Sequence, residues 1–215
     1  MSGFLSGEAF AVDTKTSGTL TGLRWGSASD LPVLALHGWL DNASSFAPLA
    51  SHLSGFQLLA LDLPGHGHSQ HRPPGMRYHL LDYVPAVLEA AEGLGWETGL
   101  IMCHSLGGAI AGLVAIAAPE RVKAMILIEV LGPLSESETK LPGRLRNSVE
   151  GYARAQTRSS PVYPDIEPLI ATRARIGAMH ETSARLLIER NVREEDDGYR
   201  WRSDQRLRLD SPAFL

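Results

Sequence analysis

Cysteine is almost absent. The 215 residues include one, Cys103, which excludes an internal disulfide framework and suits a reducing compartment. The chain also lacks any uninterrupted apolar run of about 18 residues, so no membrane-spanning helix is predicted. An excess of positive charge is missing too. Twenty Lys and Arg face 24 Asp and Glu, for a net charge of −4, whereas a general nucleic-acid binder is normally basic. From Met1 to Gly18 there is no charged n-region followed by an apolar core, so no secretory signal is read and a cytoplasmic location is expected. With 44% apolar and 20% charged residues, the composition excludes a disordered chain. A soluble globular protein is expected, with no nucleic-acid or membrane partner, and a homodimer is left open.

Charge is scarce in one part of the chain and dense in the other. Residues 1–131 hold 17 charged side chains, about 13%, and residues 132–215 hold 27, about 32%. Glycine runs the other way, with 16 of 21 before residue 132. The first part, 1–131, therefore reads as a sheet-and-turn core, and 132–215 as a region of solvated helices and loops.

Within the first part, apolar runs alternate with helical patterns. Gly7–Thr14 and Thr19–Trp25 flank Lys15–Gly18 and predict a β-hairpin. Pro32–Leu36, Phe56–Leu61, Thr98–Cys103 and Val122–Leu131 are continuous apolar runs ended by turns, which predicts strands buried on both faces. Helices are predicted over Ser45–Leu53, Leu80–Leu94 and Leu106–Ala117. Strands alternating with helices make a mostly parallel, doubly wound α/β sheet with right-handed crossovers.

The most informative segment is Leu100–Gly108. An apolar strand stops, Ser105 follows at once after His104, and the small residues Gly107, Gly108 and Ala109 open a helix. A sharp strand-to-helix turn would hold the Ser105 hydroxyl at the carboxyl edge of the sheet. The helix N-terminus offers free N–H groups that favour a developing oxyanion. Standing alone, the segment also fits a serine capping an ordinary helix.

Two further segments accompany it: His37-Gly38-Trp39 after one strand, and Asp62–Ser69 after the next. Together the three resemble the α/β-hydrolase superfamily. The strings Leu36–Phe46 and Trp201–Leu207 are similar to the serine hydrolase-like proteins within it. The resemblance implies an α/β-hydrolase fold with a helical cap, no cofactor, and a small-molecule acyl substrate. It implies Ser105 as nucleophile through an acyl-enzyme, with the backbone N–H groups of Trp39 and Leu106 as the oxyanion hole. Phe46, with His37 and His104, would line the pocket. Serine rather than aspartate at 105 argues against the dehalogenase and epoxide hydrolase branches. Where the pattern G-x-S-x-G has its first glycine this chain has Cys103, read as a small packing variant in a crowded turn.

The partners of Ser105 are less legible. Glu129, at the end of the Val122–Leu131 run, is a candidate acid; the alternatives are a turn cap or an ion pair with an arginine of the second region. In the family the histidine base follows the last strand. Here only His180 lies beyond Ser105, in a context that reads as a helix start capped by Thr182 or Ser183. His66-Gly67-His68 lacks the accompanying acids or cysteines of a metal site, and no metal is expected. The core thus reads as short of its C-terminal strands, and a natural chain continuing past Leu215 is expected. The alternative is a hydrolase-fold binding or scaffolding protein without turnover; a cofactor-free haloperoxidase or an acyltransferase would use the same residues. In the second region a helix is predicted over Glu181–Asn191, and the arginine-rich run Tyr199–Leu209 reads as a solvated hairpin balanced by nearby acids.

Overall fold

A computed structural model describes residues 6–130, 137–155 and 160–209. Strands β1 (Glu8–Thr14) and β2 (Gly18–Trp25) form the expected antiparallel hairpin, closed by Gly18 at φ +69°. Then come β3 (Leu31–Leu36), a short helix α1 (Ala47–Ala50), β4 (Phe56–Leu61), α2 (Tyr83–Gly93), β5 (Gly99–His104), α3 (Leu106–Ala117) and β6 (Val122–Ile128). The order across the sheet is β1-β2-β4-β3-β5-β6, with β3, β4, β5 and β6 parallel. This is the mostly parallel, doubly wound sheet that the alternation of runs implies.

Side-chain alternation builds two cores. In β3, Leu34 and Leu36 face α2 and α3 together with Ile101, Cys103 and Ile110. Val33 and Ala35 face the opposite side, with Leu58, Ala60, Met102 and Phe46. A strand covered on both faces has no polar side to show, which explains the unbroken apolar runs of β3, β4 and β5; β6, expected to be buried likewise, is exposed from Lys123 to Ile128. Cys103 is buried in the first core, and burial pushes its thiol pKa up to about 11. It is a packing residue.

Some boundaries differ from the sequence reading. The expected helix at Ser45–Leu53 is a 3-10 turn over Ala43–Phe46 followed by the single turn α1, because Pro48 and Ser51 leave few apolar positions to extend it. The last expected strand stops at Ile128, where Glu129 takes φ +56°; Leu131 lies outside the described residues. Met125 to Ile128 are exposed at this edge of the sheet.

The second region holds α4 (Leu141–Ala155), α5 (Glu167–Ile176), α6 (Glu181–Asn191) and a small hairpin of β7 (Val192–Glu195) and β8 (Gly198–Trp201). Helices α5 and α6 share a third apolar cluster, around Ile170, Ala184 and Ile188. Helix α6 matches the predicted bounds, although its N-cap is His180 rather than Thr182 or Ser183. The arginine-rich run divides in two: β8, then a 3-10 turn over Gln205–Arg208. Its charges are balanced as expected, with Arg200 on Glu195 and Asp197, and Arg206 on Asp204. Among the described residues no helix is long and apolar enough to cross a membrane.

Candidate active site

Strand β5 ends at His104, and Ser105 turns the chain into α3 with φ +48° and ψ −113°. A non-glycine residue rarely adopts that conformation, and strain of this kind persists only where the surroundings fix it. Three contacts do so here. The Ser105 amide donates to the Ile128 carbonyl at 3.1 Å, its carbonyl accepts from Gly108 N–H at 2.9 Å, and Gly107 N–H donates to the His37 carbonyl at 3.1 Å. The glycines are required by contact. A Cβ on Gly107 would lie 2.1 Å from the Leu36 carbonyl oxygen, and one on Gly108 would lie 1.9 Å from Val130 Cγ1.

Beside this turn runs the loop His37–Ala43, which follows β3. Among the described residues the backbone N–H groups of Trp39 and Leu106 donate to no protein acceptor. Two unsatisfied donors next to a strained serine are what an anionic oxygen needs. The Ser105 hydroxyl likewise has no hydrogen-bond partner among the described residues.

The proposed pocket residues separate. A cavity of about 510 Å³ is lined by Phe46, Leu49, His104, Ile128, Met179 and Leu187, with Asp41, Glu129 and Arg173 among its polar groups. His37 is not part of its wall. It is fully buried, with Nδ1 on the Gly38 carbonyl at 2.8 Å and Nε2 accepting from Leu63 N–H at 3.0 Å. Burial lowers its pKa, against the pull of the Gly38 carbonyl and of Asp62. A neutral His37 therefore ties the loop after β3 to the loop after β4. His66 packs edge-on against it at 5.0 Å, and burial above all lowers the His66 pKa to about 3.

Among the described residues Glu129 neither caps the next turn nor meets an arginine. Its exposed carboxylate lies 3.3 Å from His104 Nε2, while His104 Nδ1 lies 3.8 Å from Asp41. His104 is thus bracketed by two carboxylates at the mouth of the cavity. Asp41 in turn is paired with Arg173 of α5 at 2.5 Å.

Asp62 anchors the arrangement from below. It is fully buried and takes a bidentate contact from Arg190 of α6, plus backbone N–H groups of Ala43 and His68. Burial alone would raise its pKa, but the Arg190 hydrogen bonds and charge and the two amides outweigh that and lower it.

Sequence reasoning missed the ties from α5 and α6 to the loop at residues 39–42. One signal was present: Asn191 stands on the same helical face as Ala184, Leu187 and Ile188. A buried amide in an apolar stripe must have a partner, and here it is the Leu40 carbonyl at 3.0 Å.

Residues 32–208 match the α/β-hydrolase fold family. This chain belongs to that family. It is 33% identical over 203 residues to a serine hydrolase-like protein of Danio rerio, covering 92% of this chain and 62% of that protein. It is 30% identical over 198 residues to an esterase of Mycobacterium tuberculosis, covering 90% of this chain and 63% of the esterase. The crystal structure of a hypothetical protein of Pseudomonas aeruginosa PAO1 superposes with a TM-score of 0.88 at 39% identity, over 97% of this chain and 73% of that one. The chain thus spans about three fifths of the length of these curated relatives.

Proposed function

We propose that this α/β hydrolase cleaves a carboxylic ester or a similar acyl substrate through an acyl-enzyme on Ser105. The observation that carries the reading is the Ser105 backbone, strained at φ +48° beside two amide donors that have no acceptor among the described residues. The Ser105 oxygen attacks the acyl carbon, and the carbonyl oxygen gains charge facing the N–H groups of Trp39 and Leu106. One such donor contributes about 3 kcal/mol to the transition state. On collapse the bond to the leaving group breaks and the proton given up by the Ser105 hydroxyl goes to the departing alcohol; water then attacks the acyl-serine, releasing the carboxylic acid and restoring the hydroxyl. The elbow-shaped turn holds the nucleophile at the sheet edge, and residues 132–215 act as the cap over the apolar cavity. Glu129 is the candidate acid, through its contact with His104. His37 is not the base, because both its ring nitrogens are engaged with the Gly38 carbonyl and the Leu63 N–H, and His66 is fully buried behind it.

A fluorophosphonate probe followed by intact mass measurement tests this reading. Stoichiometric labelling of Ser105 is expected, and Ser105→Ala should lose both labelling and at least a thousandfold of ester turnover, the scale of losing a nucleophile. A full-length protein that resists the probe overturns the proposal. The lack of a described imidazole on the Ser105 hydroxyl favours a second reading, a ligand-binding hydrolase fold without turnover. Labelling or binding with no hydrolysis of any short-chain ester would support that one.

A further inference from the structure

We infer that helices α5 and α6 and the Gln205–Arg208 turn are positioning elements for the Trp39 oxyanion donor, so that docking of the second region assembles the hole. This inference rests on the hydrolase reading and goes beyond it by assigning the loop's geometry to residues far from the chemistry. Four consecutive loop residues are each tied to the second region. Trp39 Nε1 donates to the Leu207 carbonyl at 3.0 Å, and the Leu40 carbonyl accepts from Asn191 at 3.0 Å. Asp41 pairs with Arg173 at 2.5 Å, and Asn42 donates to the Leu187 carbonyl at 2.8 Å.

The loop needs such ties. Leu40 sits at φ +60°, a conformation that a leucine holds only under constraint. From the core, the loop is held by direct hydrogen bonds near its ends, Gly107 N–H on the His37 carbonyl and Ala43 N–H on Asp62, with His104 at a longer 3.8 Å from Asp41 between them. Between those ends, its side chains and the Leu40 carbonyl bond to α5, α6 and the Gln205–Arg208 turn. That turn is itself braced. Arg206 donates to the carbonyls of Arg72, Pro73 and Met76 and pairs with Asp204, so the Leu207 carbonyl is a fixed point. If the second region shifts, the Trp39 N–H shifts with it, and a donor displaced by about an ångström loses much of its effect.

The experiment uses the full chain with Asn191→Ala, which deletes a tie but touches neither Ser105 nor the cavity wall, and Trp39→Phe, which replaces the indole with a smaller aromatic ring that has no N–H to give Leu207. Arg185→Gln, which breaks an exposed ion pair between α5 and α6, is the control. Two quantities are read: the saturating rate of fluorophosphonate labelling (kinact) with its KI, and hydrogen exchange of the 37–43 amides. Asn191→Ala is expected to lower kinact about tenfold to a hundredfold at unchanged KI, and to speed loop exchange similarly. Trp39→Phe should move both in the same direction by less, and Arg185→Gln neither. Unchanged loop exchange in both variants overturns the inference, as does a rise in KI with kinact unchanged. If wild-type Ser105 resists the probe, the hydrolase reading fails, and loop exchange alone still decides whether the second region holds the loop.

Discussion

At the scale of single residues, the glycines after Ser105 and the buried histidines set separate limits. Gly107→Ala would push a methyl group against main chain, which cannot yield as a side chain could. A loss of about 3 kcal/mol or more is expected, measured by urea unfolding, with Ser105 labelling falling in the fraction that still folds. His66 controls the response to acid. Its pKa is near 3 when folded against an ordinary 6.5, so the unfolded chain binds the proton more readily. The stabilisation is complete above pH 6.5 and is lost as the pH falls toward 3, by up to about 1.4 kcal/mol per pH unit. His66→Gln should flatten the slope of unfolding free energy between pH 7 and pH 5, and an unaltered slope would refute this. His37, shifted in the same direction, adds to the wild-type slope.

Among the elements, α6 carries the most consequential bond. Arg190→Met would leave Asp62 charged and buried with only two amides and the Thr21 hydroxyl for company. Breaking such a pair by removing one partner costs about 3–5 kcal/mol, to be read from the shift in the urea midpoint. Asp62→Asn alongside it should restore part of the loss, because the uncompensated charge is gone. This bond was not legible in the sequence, although the elements joined by it were. Helix α6 and strands β3 to β5 follow from apolar periodicity, since burial dictates their side chains. So does the Ser105 turn, where contact forces small residues. The partners of Asp41, Asn42 and Asp62 are long-range, and polar residues at such positions leave no periodic trace. His37 shows the same limit from the other side. Its place beside the turn was readable, but its use of both ring nitrogens in holding two loops was not.

For the whole molecule, the two regions differ in what holds them. Each has its own apolar cluster, and many of the bonds between them are polar: Arg190 to Asp62, Arg173 to Asp41, and Arg206 to the loop after β4. Wild-type protein should unfold in one transition, with coincident curves from tryptophan fluorescence and far-UV circular dichroism, because the buried Arg190 pair couples the regions. In the double variant Arg173→Gln, Arg190→Met the curves should separate, the second region melting first. Coincident curves in that variant would mean that apolar contact alone provides the coupling. The same wiring has a consequence during synthesis. The loop at residues 39–42 precedes its anchors by 132 to 168 positions. At about 5–20 residues per second, a ribosome finishes the anchors roughly 7 to 34 seconds after the loop. A nascent chain therefore carries its serine before the anchors that steady the oxyanion loop exist, and it stays chemically quiet until Leu207 has been translated.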